Sequence, residues 1–155
     1  MRTRTMLLSL LSCFVGLTLC FAVDNPQMGT WKLNEAKSKL NPGMPKNTSV
    51  SVEAAGDQVK VTVDGVDAKG NPTHNEWTGK FDGKDYPVTG DSTSDARSYK
   101  KIDARTSELM IKKDGKVTIS GKIAVSADGK TRTVTISATD SAGKKIHSTS
   151  VYDKQ

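Results

Sequence analysis

The sequence predicts an all-β fold: a single antiparallel up-and-down β-barrel of roughly 8–10 strands, with a β-sandwich as the alternative. Three observations predict it. Apolar residues alternate at period two in segment after segment. Glycine-bearing turns separate these segments at short spacing, and no stretch carries a helical period of any length.

Ahead of the strands stands a targeting segment. Arg2 and Arg4 form a short positive region, and MLLSLLSCFVGLTLCFA (Met6 to Ala22) is apolar. Ala22 is a small residue suited to cleavage before the polar VDNPQ. The run is short for a spanning helix, which needs roughly 20 apolar residues. Lipidation at Cys20 is the lesser alternative, because Leu19 stands where such signals prefer a small residue. The expectation is export, to the periplasm or outside the cell, with residues 1–22 a signal peptide and 23–155 one barrel domain. No stable membrane insertion is expected after signal removal.

Cys13 and Cys20, the two cysteines of the chain, both lie in that segment, so residues 23–155 hold neither disulfides nor a zinc–cysteine site. Loss of Arg2 and Arg4 lowers the chain's net charge of +6 by two. The remaining charges alternate in sign, as in KKDGK and KFDGKDY, which describes a solvated surface. A nucleic-acid footprint would cluster the cations among stacking aromatics, and no such cluster occurs.

The elements follow in order. MGTWKL (28–33) is the first strand. NEAKSKL (34–40) has room for one or two helical turns, and Pro42 and Pro45 then force an extended link. TSVSVE (48–53) and QVKVTVDGV (58–66) put Val50 and Val52, then Val59, Val61 and Val63, on one face each. Over 73–81, Asn75, Trp77, Gly79 and Phe81 share the dry face, and His74, Glu76, Thr78 and Lys80 the wet one. Shorter segments at 86–90, 96–102 and 107–112 lead to KVTISGKIAV (116–125), with Val117, Ile119, Gly121, Ile123 and Val125 at strict alternation. TRTVTISA (131–138) and a last strand over 145–152 complete nine or ten candidates. Asp82-Gly83, Asp114-Gly115 and Asp128-Gly129 suit tight hairpins because both residue types tolerate positive φ. Hairpins in series favour a barrel over Greek-key crossings, for which only NPGMPKN (41–47) and TGDSTSD (89–95) offer length. An outer-membrane barrel would need aromatic girdles that six mature aromatics do not make.

GTWKL resembles the opening strand of the calycins, the lipocalins and fatty-acid-binding proteins, which carry Gly-x-Trp there. The resemblance implies that Trp31 packs across the closed end of a barrel and that Gly29 lets backbones approach. STSVYDK resembles the last strand of fatty-acid-binding proteins, which implies that Tyr152 faces a cavity. Ser150 stands where that family has a carboxylate-holding arginine, so the resemblance does not extend to carboxylate capture by that route. The family's two-helix lid has no counterpart in NEAKSKLNPGMPKN, and the further lipocalin motifs are not evident. The DGK-YPV hairpin is similar to those of small exported bacterial proteins described as lipocalin-like.

Catalytic constellations are not apparent. With the cysteines removed, a nucleophile would depend on His74 or His147, and no serine sits in a Gly-x-Ser-x-Gly elbow. His74 and Glu76 share a strand face and His147 could join them around a metal, but that face is the wet one. Most acids sit in turns that their backbone role explains, and no calcium loop occurs. The Asn-Thr-Ser at 47–49 reads as chance in a bacterial-style chain. The expectation is a protein that is not an enzyme, with no cofactor, no metal and no nucleic-acid partner.

A binding function would live inside. The candidate cavity lining is Trp31, Val61, Trp77, Phe81, Ile119, Ile123, Val134, Ile136 and Tyr152, with Val50, Val52, Val59, Val63, Ile111 and Val117 extending the wall. Gly79, Gly121, Ser148 and Ser150 on the same stripes leave room. The functional expectation is an exported lipocalin-like protein holding a small apolar or amphipathic ligand. The alternative is a structural or interaction protein of the cell envelope with a solid core and no ligand.

Overall fold

The structure is a computed structural model that describes residues 25–139 and 142–155. The segment read as a signal peptide, with Cys13, Cys20 and Ala22, lies outside the described residues.

Ten strands form one closed antiparallel barrel: β1 (Gly29–Leu33), β2 (Lys46–Ala55), β3 (Gln58–Val66), β4 (Pro72–Gly79), β5 (Tyr86–Thr89), β6 (Ala96–Lys101), β7 (Thr106–Lys113), β8 (Lys116–Val125), β9 (Thr131–Thr139) and β10 (Lys145–Lys154). Each strand pairs with its chain neighbours, and β10 returns to β1 through Trp31↔Lys154 and Leu33↔Tyr152. Closure removes the two sheet edges that an open meander would expose. The sandwich alternative is thereby set aside: neither 41–47 nor 89–95 crosses between sheets.

Local chemistry explains the connections. Asp114 and Gly115 both take positive φ (50° and 72°), the conformation a two-residue hairpin of matching twist requires. Between β1 and β2 the helical potential of NEAKSKL shrinks to one 3-10 turn, Glu35–Lys37, whose cap Asn34 accepts a hydrogen bond from the Lys37 N–H. Asn34 also donates to Asp153 at 2.6 Å, and Lys39 bridges to Thr149, so this link is stitched to β10.

Alternation along each strand sends one set of side chains inward. Val50, Val52, Val61, Val63, Val88, Leu109, Ile123 and Val125 are buried there with Trp31, Trp77, Tyr99 and Tyr152. Trp77 anchors an aromatic cluster, with ring centroids 4.6 Å from Tyr99, 5.7 Å from Tyr86 and 6.1 Å from Phe81. Gly79 makes this packing possible, since a Cβ there would fall 2.5 Å from the Tyr86 ring.

One wall residue departs from expectation. Val117 is 53% exposed. A bulge lies in the β7–β8 ladder, where Ile111 pairs with Ile119 but Lys112 pairs with Val117. The extra residue, Thr118, shifts the parity, so Val117 shares the outward face of Lys112.

Candidate functional site

The interior contains a cavity of 60 Å³. Val50, Val61 and Val63 from β2 and β3 form one wall. Leu109, Ile111, Ile123 and Val134 from β7 to β9 form the other, and Asn47, Arg97, Tyr99, Arg132 and Tyr152 supply the polar groups. Four of the nine predicted lining residues, Val61, Ile123, Val134 and Tyr152, meet on this cavity. Trp77 and Phe81 stand behind it in the aromatic cluster, both in contact with Tyr99. Ile119 and Ile136 are half-buried on the β8–β9 pair and do not reach the cavity wall.

Trp31 has a separate place. It is fully buried, and its indole N–H donates to the Gln27 carbonyl at 3.0 Å. Gln27 in turn donates from its side chain to the Arg105 carbonyl, so the segment before β1 is pinned to the β6–β7 turn. The Lys154 ammonium lies 5.2 Å from the Trp31 ring centroid, within cation–π range. Gly29 is required by its own backbone, at φ 113°; an added Cβ would also lie 2.9 Å from the Lys154 Cε, a contact the flexible lysine relieves by shifting. The expected close approach of backbones is therefore an approach of a lysine side chain.

The residues that sequence reasoning missed are two arginines. Arg97 and Arg132 are 5% and 4% exposed, and both face the cavity. Arg97 donates from Nη2 to Asn75 Oδ1 at 3.2 Å and lies 3.9 Å from the Asp91 carboxylate. Its backbone carbonyl accepts the Trp77 indole N–H at 2.8 Å, which fixes the strand under the guanidinium. Burial disfavours the Asp91 carboxylate, but hydrogen bonds from Ser94 and Thr93 and the Arg97 charge hold its carboxyl below the usual range.

Arg132 has less company. Its guanidinium carbon sits 5.8 Å from the centroid of Tyr152, its register partner on β10. Burial pulls the Arg132 guanidinium below its ordinary value, opposed by Tyr99 and Tyr152. Burial likewise pushes the Tyr152 phenol up, against the pull of Arg132, while its hydroxyl donates to the Asn47 carbonyl at 3.2 Å. Among the described residues, Nε of both arginines is buried without a hydrogen-bond partner. The positively charged group beside Tyr152 thus comes from β9, across the ladder, while Ser150 on β10 hydrogen-bonds the Tyr152 phenol and, like Arg132, opposes the effect of burial. A signal was present in the sequence: Arg132 falls on the same alternating face as Val134 and Ile136, and Arg97 on that of Tyr99.

A larger hollow of 250 Å³ lies between the 40–46 link, the turn after β3 and Ser148. Its charged groups are already engaged, Lys46 by Glu35 at 3.0 Å and Asp67 by Asn71 and the Lys69 N–H. Among the described residues, the buried side-chain polar atoms without a hydrogen-bond partner, Arg97 Nε and Arg132 Nε, belong to residues that line the interior cavity. On the surface, His74 lies 2.7 Å from Asp64 and 3.8 Å from Glu76, while Glu76 is held by Lys60 at 2.7 Å. His147 meets Ser137 instead, so the three residues weighed for a metal do not converge.

No family model and no curated protein sequence matches the chain. Among solved structures the chain is similar to that of EF1p2_mFAP2b bound to DFHBI, with a TM-score of 0.51 and 10% identity. The match covers 84% of this chain and 94% of that one. At that identity the likeness is one of fold.

Proposed function

We propose that this is a binding protein, not an enzyme, whose barrel interior holds a small apolar or amphipathic ligand in the manner of the calycins. The carrying observation is the cavity between the valine wall of β2–β3 and the Leu/Ile/Val wall of β7–β9, with polar groups at a few fixed points. Ligand carbon would be buried against these walls, and Tyr99 and Tyr152 would offer flat contact and hydroxyls. A neighbour of similar fold bound to DFHBI supports the reading. The apolar segment ending at Ala22 supports export, with release of the barrel after cleavage near that residue.

A volume of 60 Å³ has room for only a few water-sized groups and so sets the scale of the ligand. The same small volume favours the second reading, a filled barrel of the cell envelope that acts through its surface. Titration of tryptophan fluorescence with an apolar dye, displacement by short amphiphiles and native mass spectrometry of the same sample separate the two. Saturable one-to-one binding or a co-purified mass is the expected result. A folded, compact protein with neither would leave the solid barrel standing.

A further inference from the structure

We propose that Ser137, hydrogen-bonded to His147 on the outer face of the barrel, is a covalent acceptor site for acyl groups delivered by an activated ester or thioester. The site lies outside the interior cavity and does not depend on a ligand there.

A serine hydroxyl by itself is a weak nucleophile, and an adjacent general base within hydrogen-bond reach activates it. The ladder between β9 and β10 supplies that base. Ser137 and His147 are register partners, on the faces opposite to the inward Arg132 and Ser148, so their side chains meet outside the barrel. Ser137 Oγ and His147 Nδ1 are 2.8 Å apart, and His147 is exposed. With the imidazole proton on Nε2, Nδ1 accepts from the serine hydroxyl. The other histidine, His74, meets the carboxylates of Asp64 and Glu76 instead.

The neighbours favour the same chemistry. Lys122 on β8 pairs with Thr135, and Lys145 on β10 pairs with Thr139, the residues two before and two after Ser137. Both lysines are thus diagonal neighbours of the serine on one face, at a separation that long side chains span. Their exposed ammoniums favour the negative oxygen that forms when the hydroxyl attacks an acyl carbon. In that step the bond from Ser137 Oγ to the acyl carbon forms. The bond from that carbon to the leaving group breaks, and its electron pair goes to the leaving group. The hydroxyl proton passes to His147 Nδ1 and from there to the leaving group or water. Turnover is not built in. The strand amides beside Ser137 are spent in the ladders with β8 and β10, and among the described residues no carboxylate holds the far side of the imidazole. The ester therefore persists, and the pair is an acceptor and not an enzyme.

The test is reaction of the purified protein with p-nitrophenyl acetate, followed by peptide mass spectrometry. Ser120 is a control within the same molecule. It is the register partner of Ser137 on β8, on the same face and half-buried like it, but its neighbour across the ladder is Ser137 and not a histidine. A fully oriented base supplies about a hundredfold or more, so acetylation of Ser137 at least about tenfold faster than of Ser120 is expected from this exposed one. Hydroxylamine is expected to remove the acetyl group, as it does from an ester. His147→Gln is expected to bring Ser137 down to the rate of Ser120. Equal acetylation of Ser137 and Ser120 would overturn the proposal, as would acetyl groups confined to lysine amides that hydroxylamine leaves in place. Undiminished Ser137 acetylation in folded His147→Gln would overturn it too, since the reactivity would then owe nothing to the imidazole. The comparison of Ser137 with Ser120 in the unaltered protein decides even if the variant fails to fold.

Discussion

Gly29 and Trp31, two residues apart, act through different physics. The glycine is there for a backbone angle that L side chains avoid. The tryptophan is there for a large buried surface whose N–H finds the Gln27 carbonyl. Burial of Trp31 followed from its size and its place in an alternating strand. Gln27 as partner did not, because that pairing depends on how the segment before β1 returns across the barrel end. Arg132 shows the same limit more sharply. Its inward face follows from alternation with Val134, yet a charged side chain is ordinarily read as solvated, and only closure of the barrel leaves it nowhere else to go. Tyr152 beside it carries a residue-scale prediction. Its folded pKa lies above the ordinary value near 10, so its contribution to stability is complete below that pH and is lost as pH rises through the folded value. Tyr152→Phe, followed by urea unfolding between neutral and strongly alkaline pH, is expected to lose less stability at high pH than the unaltered protein. Identical pH profiles would contradict the assignment.

At the scale of elements, the nine or ten candidate segments correspond to the ten strands, and the longer ones were legible as alternating runs between turns, because antiparallel strands with one dry face write their period into the sequence. The 3-10 turn at Glu35–Lys37 was legible too, as the residue of a helical tendency too short to propagate. What alternation does not reveal is a change of parity. In β8 the bulge at Thr118 turns Val117 outward while Ile123, on the same nominal stripe, stays 2% exposed. Substitutions on this one strand therefore separate. Val117→Thr is expected to change unfolding free energy by no more than about 0.5 kcal/mol. Ile123→Ala is expected to cost about 2–5 kcal/mol through lost burial and a residual cavity. Chemical denaturation of both variants checks the pair, and a costly Val117→Thr would contradict the register.

For the whole molecule, closure is the feature from which the rest follows. Because β10 pairs with β1, the barrel has a true inside, and each alternating stripe becomes either wall or surface. The sequence carried the hairpin order that favours closure, but not the barrel's diameter or how much of the interior its own side chains fill. Those depend on the tilt of the strands and on the fit of Trp77, Phe81, Tyr86 and Tyr99 against one another, a packing result no single strand contains. The aromatic cluster takes much of the interior, which is why Trp77 and Phe81 back the cavity and why the space left is 60 Å³.

The central claim, that this interior is a ligand site, is tested most directly by methyl NMR of the isotope-labelled protein during titration with a short-chain carboxylate. Saturable shifts are expected at Val50, Val61, Val63, Ile123 and Val134, with the exposed Ile102 and Val117 unchanged. Shifts confined to Ile102 and Val117, or none at saturating probe, would contradict it and direct the search for function to the outer surface.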